Sequence, residues 1–508
     1  MSTRSSTEGS NSSPNGEPAA HDVEKAQIGA TAPANQELKG AEPELVDWDG
    51  PDDPENPQNW PARKKWLNVG VLAAITFFSP LASSVFAPGV PQAQNAFNNH
   101  DETLATLVVS IFLLGYVAGP LVLVPLADVF GRVTIYHAGN LGFIVFTIAC
   151  AVSTNMNMLI GFRFLSGLVS SAPMTVGGGS IVDILPPQKR GFGIMVWNLP
   201  LVAGPVIGPV AGGFLTQDAG WRWLFWLVAI SGGAAALLAV IFLRESNPAV
   251  LLKRKALRLQ KETGNLKLRS KMDQGLTTKE LLVRAVVRPT KLLFLSPVCS
   301  LFCLYNAFVY AIIYLFFTTF TFLFSVEYHF SEGMVGLTYI GSGIGMMSGM
   351  FVYGMTSDKL IQRLTKKYGA ERPKPEYRLP LTIFGSPFIP AGLFLYGWTA
   401  EYRIHWAVPL LGTVLVGFGF TIILSSIANY MIDTFTIYAA SAMAAITISR
   451  SVFAATFPLF ALHMYDSLGW GWGNSLLGFI ALAGCGIPPL FWFYGEALRT
   501  NPRFQVKL

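Results

Sequence analysis

With 508 residues, 52% of them hydrophobic and only 13% charged, the chain is too poor in charge to clothe several water-facing domains, which carry about a quarter charged residues. Residues 1–60 hold 12 of the 30 acids, so the remainder is emptier still. The composition excludes a soluble multidomain protein and points to one that crosses a membrane many times. The net charge of +6 suits basic residues marking one membrane face better than it suits nucleic-acid binding.

Residues 1–65 are expected to form a cytoplasmic tail. Over 1–46 it is read as disordered, because Ser, Pro, Asn, Glu and Ala dominate and apolar burial cannot offset the ordering entropy. Its end places Arg63, Lys64 and Lys65 between Trp60 and Trp66, a basic juxtamembrane anchor at the foot of an apolar run. Apolar segments of about twenty residues, one span each, fall near 67–88, 104–126, 133–152, 157–181, 191–215 and 223–243. They compose an N-terminal six-helix bundle over 66–243. Residues 244–291 carry 13 Lys and Arg against four acids and read as a basic cytoplasmic linker, with helix-like stretches starting at Pro248 and Thr277. A C-terminal bundle over 292–495 has spans near 293–318, 334–356, 379–398, 407–430, 436–462 and 472–494. Residues 496–508 form a cytoplasmic C-terminal tail. With both termini inside, only Arg222 and Arg403 of the 36 Lys and Arg fall outside, and only Arg163 and Arg450 within spans. That bias supports an all-α membrane protein of 12 transmembrane helices in two six-helix bundles.

Cys150, Cys299, Cys303 and Cys485 lie inside apolar runs and read as core residues. In the fifth span Gly204, Gly208 and Gly212 recur every four residues and share a helix face. Gly213, Pro205 and Pro209 lie beside them, and the eighth span carries Gly341, Gly345 and Gly349. Such tracks admit close backbone approach. They mean either static packing or, paired across the halves, a seam along which the halves rock. A second pair of small-residue faces, Gly115 and Gly119 in the second span and Ala440 to Ala445 in the eleventh, reads the same two ways.

The stretch Gly204–Gly213 resembles, at every fixed position, the GxxxGPxxGG signature of drug:proton antiporters of the major facilitator superfamily. Leu126-Ala127-Asp128 with Gly131-Arg132 resembles that superfamily's loop motif, with Val124 and Val133 departing from it. Arg163 with Gly167 resembles the RxxxG motif of the fourth span, and DGPDDPENPQNWPARKKW resembles fungal twelve-span members. The resemblance implies the major facilitator fold and a fungal secondary transporter. It would export small amphipathic organic compounds, antifungal drugs or a secondary-metabolite toxin, by proton antiport with alternating access. Uptake of a nutrient is the alternative, and a non-transporting sensor ranks below it. Asp128 is implied as a charge latch whose partners are Arg132 and the start of the eleventh span.

Asp and Glu are missing from the middle of every span; the nearest are Asp128 and Asp183. Proton coupling therefore rests on the resemblance, which implies Asp128, Arg132, Arg163 and Asp183 as the coupling and gating residues; His137 and His463 could titrate near neutral pH but read as interfacial or hydrogen-bonded groups. Arginine is costly inside a bilayer, so Arg163 and Arg450 are expected to be functional and to face a cavity. The seventh span offers Asn306, Tyr310, Tyr314 and Phe317 on one face, suited to flat amphipathic ligands. Ser83, Ser84, Ser170, Ser171, Ser425, Ser426 and Asn429 add polar groups from three other spans. A phosphate loop, a ligand-spaced metal cluster and a nucleic-acid module are missing from the sequence, so no cofactor, no metal and no enzyme activity are expected. The expected partners are the organic substrate, protons and the lipid bilayer around a monomer. The plasma membrane is the expected location, with the vacuolar membrane as the alternative.

Overall fold

The computed structural model describes residues 44–501 apart from 100, 273–274, 276–277 and 370–372. The disorder expected over 1–43 and the end of the C-terminal tail, 502–508, lie outside the described residues. Long apolar helices dominate: α1 (Ala62–Ser84), α2 (Glu102–Phe130), α3 (Arg132–Ala151), α4 (Met156–Ile184), α5 (Pro187–Ala219) and α6 (Arg222–Phe242). Two linker helices, Pro248–Thr263 and Thr278–Leu295, precede α7 (Pro297–Phe322), α8 (Glu332–Lys367), α9 (Pro375–Glu401) and α10 (Ala407–Phe435). The last apolar stretch, Ala439–Thr500, is the eleventh helical segment long and apolar enough to span among the described residues. It is two crossings, because Gly469 breaks it with φ 73° and ψ 171°. A positive φ suits glycine, which has no Cβ to clash; there Glu401 accepts the N–H of Gly471 at 3.0 Å and starts the new helix. We call the two parts α11 (439–468) and α12 (470–500), giving the expected twelve.

The halves pack alike. In the first, α1 lies on α5 and α6, and α4 holds α2 and α3. In the second, α7 lies on α11, while α10 holds α8 and α9. Two helix pairs carry most of the packing between the halves, α5 with α8 and α2 with α11, the pairs picked out by their small residues.

The glycines themselves face elsewhere. Gly204 and Gly208 lie against the backbone of Leu81 in α1, where an added Cβ would come within 2.9 Å, and Gly212 lies against Val85. Gly345 and Gly349 press on α10 at Val414 and Phe418, and Gly341 on Thr413. Gly115 and Gly119 meet α4. The tracks therefore cement each bundle internally: of the two readings, static packing holds for them and the seam between the halves does not. Period alone places residues on a face without saying which neighbour fills it. The α5–α8 seam is made instead where a Cβ added to Gly213 would come within 3.1 Å of Gly336, one added to Gly336 within 2.5 Å of the Pro209 carbonyl, and one added to Gly343 within 2.5 Å of the Val206 side chain. At the end far from the linker, Gln92 donates to Glu332 at 2.9 Å and Thr321 to the Ala87 carbonyl at 3.2 Å.

A second departure lies before α1. Residues expected as unstructured tail fold onto the first linker helix: Leu45–Val46 pairs in parallel with Arg269–Ser270, the two short strands of the described chain. Asp53 accepts the N–H groups of Asp49 and Glu55 and meets Lys255 at 3.2 Å, while Asp49 meets Lys255 at 2.7 Å and Glu55 meets Arg258 at 3.0 Å. Burial alone would raise the Asp53 carboxyl, but these hydrogen bonds and Lys255 outweigh it and hold it below the usual carboxylate range.

Two outcomes follow from this packing. Gly208→Val should lower thermal stability in detergent, by about 1–3 kcal/mol of overpacking, whereas Gly213→Val should leave each half folded and expose far-end residues to thiol reagents; melting and labelling of cysteines placed there separate the two. For the tail clamp, a depressed carboxyl gives stability that is complete above its unfolded pKa and lost as pH falls through the lower folded one. Protease resistance of residues 45–61 should thus be flat from about pH 8 to 5 and lost only below about 4; Lys255→Met should abolish it at every pH.

Candidate functional site

Where the halves meet at mid-height, α1 presents Ser79 and Ser83, four residues apart and on one face. Ser79 Oγ donates to Ser170 Oγ of α4 at 3.1 Å and accepts from Tyr116 Oη of α2 at 2.8 Å. Ser83 Oγ lies 3.2 Å from Tyr314 Oη of α7, a hydrogen bond between the two halves. The Tyr314 ring lies 5.2 Å from that of Tyr310, which is 5.8 Å from Phe420 of α10. The Arg450 guanidinium of α11 sits 5.0 Å above the Tyr310 ring, within cation–π range. A hydroxyl and aromatic path thus runs from α4 through α1 and α7 to α11.

Two groups on this path are unsatisfied. Arg450 Nε and Asn306 Oδ1 are buried without a hydrogen-bond partner, and a buried polar atom left unpaired costs about 1–3 kcal/mol. Asn306 is one turn from Tyr310 on the same face of α7. The seventh-span face expected from sequence is therefore brought together with Arg450. Phe317, at its far-end limit, is closed over by Tyr339, whose Oη donates to the Phe317 carbonyl at 2.6 Å. Ser84 and Ser171 bond within their own helices. Ser425 gives its carbonyl to Asn429, which also donates to Tyr353 of α8 at 2.9 Å. Ser426 ties α9 to α10 through Thr382 and the Arg378 carbonyl.

Arg163 does not face a cavity large enough for a substrate, which corrects its expected role. It is 2% exposed and donates to the Ala82 and Ser83 carbonyls at 3.4 and 3.1 Å and to Val109 at 3.4 Å. Ala82 and Ser83 are in the last turn of α1, where carbonyls lack helical partners and the dipole is negative. The rings of Phe112, Phe86 and Phe225 stand 5.3, 5.4 and 6.0 Å from the guanidinium. Arg163 is a buried pin through the first bundle. Tertiary packing, invisible to depth counting, made it so.

At the linker end, Arg132 pairs with Asp183 of α4 at 3.1 Å. The expected partner, Asp128, is exposed on the last turn of α2 and forms no ion pair with it, a second correction. The strong turn at Gly131, φ 99°, carries Arg132 past Asp128 onto α4; a Cβ there would also reach Glu245. The Glu245 carboxylate accepts the N–H groups of Arg132 and Val133 at 3.2 Å, a charge at the positive end of α3. The second half repeats the arrangement, which sequence reading missed: Arg378, at the start of α9, meets Asp433 of α10 at 2.9 Å. The signal available in the sequence was Asp183 and Asp433, an acid ending the fourth span of each half. Of the histidines, His463 is exposed at the far end, 4.0 Å from Glu102.

Comparison with known proteins bears on the whole of this geometry. The pattern of the Major Facilitator Superfamily matches residues 72–458. "Efflux pump radE" of Floropilus chiversii is 56% identical, over 94% of this chain and 89% of its own. "MFS-type transporter penM" of Penicillium rubens is 48% identical over 99% and 98%. The fold is similar to that of the E. coli xylose transporter XylE in a partially occluded inward-open conformation, with TM-score 0.63 and 15% identity over 85% of this chain and 98% of that one. The chain therefore belongs to the Major Facilitator Superfamily and is a multi-pass membrane transporter of small molecules, not an enzyme.

Proposed function

We propose that the chain exports a small amphipathic organic compound, a secondary metabolite or an antifungal drug, in exchange for protons. The observation that carries this reading is the mid-height cluster of Tyr310, Arg450 and Asn306. A flat apolar body stacks on the aromatic ring, an acceptor on it meets Arg450 Nε, and a donor meets Asn306 Oδ1. The relatives named as an efflux pump and transporters support the direction. Alternating access would open the halves at one end while Gly213, Gly336 and Gln92–Glu332 close the other. Asp183 is the proposed proton carrier, because its bond to Arg132 can be made and broken at the linker end as the first half moves. Asp128 and Arg132 are gating residues beside it, and Arg163 is a structural pin. Both termini are proposed to be cytoplasmic and the protein to act as a monomer at the plasma membrane.

In proteoliposomes or whole cells, Arg450→Gln and Tyr310→Ala should each reduce export by about tenfold or more, the scale of one lost cation–π contact and hydrogen bond. Unimpaired export by both would remove the site. Collapsing the proton gradient should stop export by the wild type. Asp183→Asn should leave only gradient-independent exchange, whereas gradient-driven export by that variant would exclude Asp183 as the carrier.

A further inference from the structure

The second linker helix, Thr278–Leu295, has three stripes. One packs on α2 and α11 with Leu292 buried. At 100° per residue, Val283, Val287 and Phe294 share a second face, and they are 52%, 40% and 76% exposed. Arg284, Arg288 and Lys291 run between these two faces and, with Val283 and Val287, line a shallow groove. Among the described residues these three cations take part in no ion pair. Arg288 rests 5.6 Å over the Tyr438 ring at the start of α11.

Position decides what covers such a surface. Only Ser296 separates this helix from α7, which enters the membrane at Pro297. The exposed Phe294 therefore continues the apolar belt of the spans at the level where that belt ends. A basic stripe running beside an apolar one, at that level, matches a phospholipid: acyl chains on one stripe and a negative headgroup on the other.

We infer that the second linker helix lies on the bilayer and that Arg284, Arg288 and Lys291 bind the headgroup of an anionic phospholipid in the leaflet at the linker end. Because this helix touches both α2 and α11, the lipid sits over one of the two helix pairs that carry most of the packing between the halves. Neither the substrate site nor the direction of transport enters this inference.

The test uses the purified full-length chain in detergent, offered equal amounts of dioleoylphosphatidylserine and dioleoylphosphatidylcholine, with bound lipid counted by native mass spectrometry. The wild type should prefer phosphatidylserine. R284Q/R288Q/K291Q should lower that preference by about tenfold or more, since each basic residue near an anionic surface contributes severalfold. R284K/R288K should retain it, because charge and not guanidinium geometry is read. An unchanged preference in the triple glutamine variant would overturn the inference. So would displacement of phosphatidylserine by millimolar inorganic phosphate, which would make the site a free-anion site. Should the triple variant fail to run as a single species on gel filtration, a salt titration of the wild type decides. The preference should fall steeply between about 0.05 and 0.5 M salt, and a salt-independent preference would overturn the inference.

Discussion

In a bilayer there is no water for a helix to escape from, so helices hold each other only by contact. The rest of this fold depends on how α5 uses that constraint. On one face Gly204, Gly208 and Gly212 let its backbone meet α1 at Leu81 and Val85. A neighbouring residue, Gly213, lies on a different face and meets Gly336 of α8. One helix thus makes a joint inside its bundle on one face and a contact across the halves on another, both at backbone distance. The cross-half contact runs from Glu332 at the far end only to Val206 and Gly343, together with a few polar bonds.

Charge is handled by the same economy of placement. Arg163 gives both terminal nitrogens to backbone carbonyls of α1 and α2 and ties those helices together, while its Nε, like that of Arg450, is buried without a partner. Arg450 is given a ring instead of carbonyls and keeps a donor unpaired. The two intramembrane arginines differ in what their terminal nitrogens meet: backbone carbonyls hold those of Arg163, whereas the Arg450 guanidinium lies over the Tyr310 ring. At the linker end, Arg132–Asp183 and Arg378–Asp433 place an ion pair at the same point in each half, so a movement that loosens one bundle end has a counterpart in the other.

Much of this was legible in the residues. Span number, the basic linker and the two-halves layout follow from hydropathy and charge bias, and they survive with one refinement, Gly469 as the bend between the last two spans. Tyr310, Tyr314 and Asn306 could be placed on one helix face because period determines face. Period does not determine neighbours, and that is where sequence reading went astray. The glycine tracks left packing and seam undecided, Arg132 was matched to the nearest acid along the chain, and Arg163 to a cavity. The clamp of Asp49, Asp53 and Glu55 on Lys255 and Arg258 was illegible, because it joins residues about two hundred positions apart in a Pro-rich segment with no period.

The central claim is that transport requires the far-end contact between the halves to open. Gln92 and Glu332 meet there at 2.9 Å, and of the native cysteines Cys150, Cys299 and Cys303 are buried. With Cys485 replaced, Gln92→Cys/Glu332→Cys can be bridged by a short bifunctional maleimide in proteoliposomes. Bridging should stop export, while the unbridged double variant, or the same reagent on either single variant, should leave it running. Full export with the bridge in place would contradict it.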